Sequence, residues 1–196
     1  MTRLMMAAAL AVALVGCDDS TGPGNRDLFT FSFEDDLDGW QAKGIDLDDP
    51  PVTWSIAQSE DTSTVGDGSA KYALDNMNDA GKIFLQRTFE LDPDTEYDVR
   101  IEFDFATADW GDMNHWRIIA GAHRSAPEDA DDLEFQGETA NGEDEDGDHV
   151  WLEKRYDVEA TSDEDGNIVI AIGVWGTFEV ERSYYIDDVR TTFTER

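Results

Sequence analysis

After Leu28 the chain alternates apolar and polar residues over most of its length. In residues 97–105, Tyr97, Val99, Ile101, Phe103 and Phe105 fall on one side, and Asp98, Arg100, Glu102 and Asp104 on the other. A period of two predicts a half-buried antiparallel strand with one wet face. Nine strand-like runs follow from such patterns: 28–34, 52–57, 70–75, 82–89, 97–106, 115–122, 150–158, 167–175 and 184–192. Residues 167–175 are apolar almost throughout, which predicts a central strand. The connections carry turn chemistry, as in Val65-Gly66-Asp67-Gly68 and Asp163-Glu164-Asp165-Gly166-Asn167. No amphipathic helix of useful length is predicted; residues 126–133, with Pro127 followed by acids, can form a single helical turn. The expectation is an all-β fold: an antiparallel β-sandwich, a jelly roll of about nine strands, over residues 28–196.

The last run, Ser183-Tyr184-Tyr185-Ile186-Asp187-Asp188-Val189-Arg190, holds two adjacent acids in a strand of aromatic and β-branched residues. Neighbours on a strand point to opposite faces, so one of Asp187 and Asp188 is expected on a packed side. A buried carboxylate needs a cation or hydrogen-bond donors to stay charged. The first run, Phe31-Ser32-Phe33-Glu34-Asp35-Asp36, has the same character. The two ends of the domain are expected to lie side by side.

Composition changes this picture in two ways. The chain carries 46 acidic and 14 basic side chains, a net charge of −32. That balance excludes nucleic acid as a partner, because phosphates would be repelled, and disfavours densely anionic polymers unless cations bridge. At the N-terminus, Arg3 precedes an apolar run from Leu4 to Val15, too short for an ordinary spanning helix, and then Gly16 and Cys17, the single cysteine. Leu14-Val15-Gly16-Cys17 resembles the lipobox of bacterial lipoproteins. The resemblance implies a signal peptide over residues 1–16, a diacylated Cys17, a polar tether over 17–27 and a protein held on a membrane of the cell envelope by its lipid. Which membrane is left open by the sequence. Cleavage before Cys17 removes Arg3 alone among the charged residues, leaving 13 basic against 46 acidic side chains.

The order Phe31-Ser32-Phe33-Glu34 to Gly39-Trp40, then Gly68-Ser69-Ala70-Lys71-Tyr72-Ala73-Leu74, then a long alternating strand, then Tyr184-Tyr185-Ile186-Asp187-Asp188-Val189 resembles carbohydrate-binding modules with a galactose-binding-like jelly roll. The resemblance spans nearly the whole domain. It implies binding of a polysaccharide or oligosaccharide without catalysis. It also implies a structural calcium ion between the first and last strands, on Glu34 and on Asp187 or Asp188, with carbonyls near residues 68–71. Calcium suits such a set because it takes six to eight oxygens in flexible geometry. The plainer reading of these acids is solvated groups on an edge strand.

Six tryptophans are more than a β-sandwich of this size usually buries: Trp40, Trp54, Trp110, Trp116, Trp151 and Trp175. Trp40 and Trp54 read as core. Trp110 sits in a polar loop, and Trp116 and Trp151 open strands beside polar residues. A sugar ring presents an apolar face and a rim of hydroxyls, so its site needs a flat aromatic among hydrogen-bonding groups. Trp110, Asn114, Trp116, Arg117 and Trp151 supply both kinds and are the candidate ligand contacts. His115, His123 and His149 lack zinc spacing, and no nucleophile elbow or phosphate-binding glycine loop is present. The expected function is therefore a membrane-anchored, calcium-stabilised, non-catalytic carbohydrate binder. An interaction or structural lipoprotein is the alternative, and a glycan-active enzyme a less favoured one.

Overall fold

The structure, a computed structural model, describes residues 25–107, 115–137, 149–176 and 180–196. It is all-β, with eleven strands among the described residues: β1 (Arg26–Phe31), β2 (Gln41–Ile45), β3 (Thr53–Ser59), β4 (Ser69–Asp75), β5 (Lys82–Glu90), β6 (Glu96–Thr107), β7 (Trp116–His123), β8 (Phe135–Gln136), β9 (Leu152–Thr161), β10 (Asn167–Gly176) and β11 (Arg182–Glu195). A single 3₁₀ turn, Ala130–Asp132, falls inside the segment where a helical turn was expected. Asp129 caps it, accepting from the Asp131 amide, and Asp132 answers as a capping box.

All pairings are antiparallel. The first sheet runs β3-β4-β11-β6-β9, and β1 also pairs with β11. The second runs β2-β5-β10-β7-β8. β10 is central, as its continuous apolar sequence predicts. The nine expected runs all occur as strands. The two additional ones are short: β2 reads QAKGI and β8 has two residues.

The alternating residues of both sheets interdigitate as the core. From β6 come Tyr97, Val99, Ile101, Phe103 and Phe105; from β10 come Ile168, Ile170, Ile172 and Val174. Near one end Phe29, Phe31, Trp40, Phe89 and Phe193 meet edge to face at 4.9–6.2 Å, an arrangement that favours aromatic pairs beyond the area they bury.

β11 meets two partners along one edge. β4 pairs Arg182 to Ile186, and β1 pairs Val189 to Thr194. Between them lies a bulge at Asp187–Arg190, where Asp188 takes a left-handed conformation, φ 47°. Aspartate tolerates that conformation better than most side chains. The bulge is where one neighbouring strand ends and the other begins, and it aims Asp187 at the loop after β3.

Candidate functional site

Of the five expected ligand contacts, Trp110 and Asn114 lie outside the described residues, as does Cys17. The other three are not brought together. Trp116 is 3% exposed, with its ring 4.7 Å from that of Phe105 and the Lys154 amine 5.6 Å above it. The expectation that it offers a ring to a ligand is corrected: it shares the inward face of β7 with Ile118, Ala120 and Ala122. Trp151 is half-buried beside the loop that covers the first sheet, its indole N–H donating to Thr62 Oγ1 at 3.3 Å. Arg117 points the opposite way from Trp116, onto the outer face of the second sheet.

That outer face is the most unusual surface of the molecule. Register places Ile45, Lys82, Trp175 and Arg117 in one row across β2, β5, β10 and β7. The next row holds Lys43, Phe84, Gly173, Ile119 and, on β8, Phe135. Phe84, Ile119, Leu133 and Ala171 form a second small core here, with Ile45 and Phe135 packed against it. β5 passes close to Gly173, where a Cβ would collide with Ile83 O and with Cα and Cβ of Phe84. The segment 124–137 thus forms a strap that joins the β7 edge as β8 and lays Leu133 against Phe84, Ile119 and Ala171, tied by Ala120 N–H to Glu134 O at 3.1 Å and by Gln136 Nε2 to Ala120 O at 2.8 Å.

At one end of the strap the aromatics come partly into solvent. Trp175 and Phe135 are half-buried, with ring centroids 5.8 Å apart at 66°. The Arg117 guanidinium lies 5.1 Å from the Phe135 centroid and 5.9 Å from that of Trp175. The Lys82 ammonium is 5.7 Å from the Trp175 ring and is ion-paired to Asp46. The loop 76–81 fixes this end. Asn76 holds Gly81 through both its N–H and C=O and donates to Gly176 O, while Asp79 O accepts the Trp175 indole N–H at 2.8 Å. The Trp175 ring is therefore held by its polar edge with its apolar body facing outward.

Polar groups on this face are incompletely satisfied. Arg117 Nε, Gln86 Oε1 and His123 Nε2 are shielded from solvent and have no hydrogen-bond partner among the described residues. His123 lies near the far end, opposite Val169, six residues and about 20 Å along β10 from Trp175. Burial pushes its imidazole below the usual histidine range, against the pull of Asp132. Burial also raises the carboxyl of Glu134. This acid and base stand apart from the aromatic end.

The acids expected around calcium fall differently from the resemblance. Asp187 is fully buried, as expected for one of the pair. Its Oδ2 accepts from Thr64 N–H at 2.7 Å, Val65 N–H at 2.9 Å and Thr64 Oγ1 at 3.1 Å, and its Oδ1 from Asp188 N–H at 2.7 Å. Asp188 turns to Arg190, and burial raises its carboxyl. Glu34 Oε2 accepts from Asp67 N–H at 2.9 Å. Among the described residues no three His, Cys, Asp or Glu side chains converge as a metal group. Asp187 thus has donors where a cation-binding carboxylate would have lone pairs facing an ion. Glu34 and Asp187 both hold the 62–68 loop through its backbone donors. Close approach of that loop needs Gly68, where a Cβ would run into Phe33 O and the Glu34 backbone.

No protein-family model matches the chain, and no curated protein is similar to it. Solved structures are. The CBM22-1 xylan-binding domain of Paenibacillus barcinonensis Xyn10C superposes with a TM-score of 0.53 at 11% identity, over 90% of this chain and 99% of that one. The K3 cleaved adhesin domain of Lys-gingipain from Porphyromonas gingivalis gives 0.54 at 14% identity, over 86% and 99%. The K1 cleaved adhesin domain gives 0.51 at 15%, over 84% and 97%. The chain shares the antiparallel β-sandwich fold of these domains.

Proposed function

We propose that this protein is a non-catalytic carbohydrate-binding lipoprotein of the cell envelope, and that it contacts its glycan at the Trp175 end of the second sheet. The observation that carries this reading is a half-exposed aromatic pair, Trp175 with Phe135, flanked by Arg117, Lys82 and Asp46 on one sheet face. Such a patch offers an apolar plane to a sugar ring and donors and acceptors to its hydroxyls. The likeness of the fold to a xylan-binding domain supports the ligand class. Of the residues expected from sequence, Arg117 belongs to this patch.

The test is isothermal titration with xylo-, galacto- and gluco-oligosaccharides, comparing the wild type with Trp175→Ala. The variant is expected to bind at least about tenfold more weakly, about 1.4 kcal/mol, with an unchanged circular-dichroism spectrum. Equal binding by both proteins would remove Trp175 from the site.

Anchoring rests on Leu14-Val15-Gly16-Cys17. Cells expressing the full chain should incorporate labelled palmitate into it, and Cys17→Ala should abolish the label. A labelled Cys17→Ala protein would overturn the anchor.

A further inference from the structure

The basic residues of this chain are few, 14 against 46 acids, so a cation without an acid partner needs explaining. Arg100, Arg124, Arg155, Arg190, Arg196, Lys71 and Lys82 all have ion pairs. Arg26 and Lys43 are exposed, where water solvates the charge. Arg87 donates to Asp38 O and Lys154 lies over the Trp116 ring, whereas Arg117 has neither an acid nor a carbonyl partner among the described residues and is not fully solvated. It is half-buried against Phe135 and Trp175, and its Nε–H is shielded from water with no acceptor among the described residues. The two rings attract the charge but cannot accept that N–H in the guanidinium plane. Asp46, just beyond the end of β2, is already paired to Lys82. What Arg117 lacks among the described residues is an anionic partner. A carboxylate pairs with a guanidinium more strongly than a neutral acceptor does.

We propose that the Trp175 end selects an acidic sugar, with a uronic-acid carboxylate against the half-buried Arg117 guanidinium and the ring of that or the next unit against Trp175. This rests on the carbohydrate reading above and narrows its ligand. The charge of the rest of the molecule sets the kind of acidic glycan. A net charge of −32 repels a dense polyanion at a distance. At physiological ionic strength that repulsion fades beyond about 8 Å, whereas a half-buried contact is screened far less. The fit is therefore to a mainly neutral glycan bearing scattered uronate units, recognised at contact and not steered from afar.

Matched pairs of probes test this. One pair is a xylo-oligosaccharide with a single glucuronic-acid branch and the same compound with its carboxyl reduced to an alcohol. The other is trigalacturonate and its methyl ester. A sulfated xylo-oligosaccharide separates carboxylate recognition from attraction to any anion. Affinities are measured at physiological salt for the wild type, Arg117→Gln, Arg117→Lys and Trp175→Ala, each checked by circular dichroism.

The expected result is about a tenfold preference for the acid member of at least one pair. That preference should fall close to one in Arg117→Gln, be only partly kept in Arg117→Lys, and exceed that for the sulfate. Trp175→Ala should weaken acid and neutral members alike. If neutral members bind as well as acids, or the preference survives Arg117→Gln, the acidic-sugar inference is overturned while carbohydrate binding stands. A sulfate preferred over the carboxylate overturns the uronate assignment. If no probe of either kind binds the wild type, the inference and the carbohydrate reading fall together.

Discussion

The outer faces of the two sheets share one molecule and answer opposite demands. On the first sheet, β6 presents Asp98, Arg100, Glu102 and Asp104, and β9 sets Glu159, Asp157, Arg155 and Glu153 opposite them. Arg100 bonds Asp157 at 2.7 Å directly across the ladder. Asp98 and Glu159, two acids facing each other, are bridged by Arg196 at 3.3 and 2.9 Å. Like charges opposite one another would otherwise destabilise the pairing. This face pairs part of its charge across the ladder and leaves water to solvate the rest, including Asp104 and Glu153, which face each other. The outer face of the second sheet is apolar, is strapped by the chain's own segment 124–137, and leaves Arg117, Gln86 and His123 with unsatisfied atoms. A face whose polar groups are paired or solvated needs no ligand, whereas one whose polar groups are not is where a ligand gains most.

Cutting one side chain from each face gives the sharpest test of this contrast. Phe84 is fully buried beneath the strap, so Phe84→Ala is expected to cost about 3–5 kcal/mol by urea unfolding, through lost burial and the cavity left behind. Arg100→Ala on the wet face is expected to cost far less, because its ion pair is exposed to water, and less still at high salt. Similar losses for the two variants would mean that the strap packs loosely and that the two faces are not different in kind.

The fold was legible because its signal is a period of two repeated nine times. β2 escaped because Gln41-Ala42-Lys43-Gly44-Ile45 has weak alternation and a glycine, and β8 because two residues carry no period. The site was less legible, for reasons the same period explains. Trp116 and Arg117 were grouped as neighbours in sequence, yet neighbours on a strand face opposite ways, and Ile118, Ala120 and Ala122 already mark the side to which Trp116 belongs. In β10, Ile168, Ile170, Ile172 and Val174 point inward, which puts Trp175 outward. That alternation was there to be read, but the strand's continuous apolar character hid it. Phe135 had no local signal, since only the tertiary path of the strap brings it to Trp175. The missing partner of Arg117 is likewise a property of the folded surface. The calcium expectation came from short acidic motifs, which fix where the acids lie but not what their oxygens accept.

The first sheet's outer face has one covered spot, and it sharpens the comparison further. Asp187 lies on that face but is sealed by the 62–65 segment, with four donors on its two oxygens. It is a buried charge satisfied from within, the counterpart of Arg117 on the other sheet. Asp187→Asn keeps the shape but turns an amide N–H₂ towards backbone donors. The conflict leaves at least one buried donor unpaired, at a cost of about 1–3 kcal/mol in thermal or urea unfolding. Any cation will stabilise so acidic a protein somewhat by screening. The informative measurement is therefore calcium against magnesium at matched ionic strength, with chelator as the baseline. Because donors already fill the place where an ion would sit, the calcium and magnesium melts of the wild type should coincide. A rise in Tm specific to calcium, saturable and lost in Asp187→Asn, would mean that the 62–65 segment gives way to an ion and that the hydrogen-bonded clasp is not the resting state.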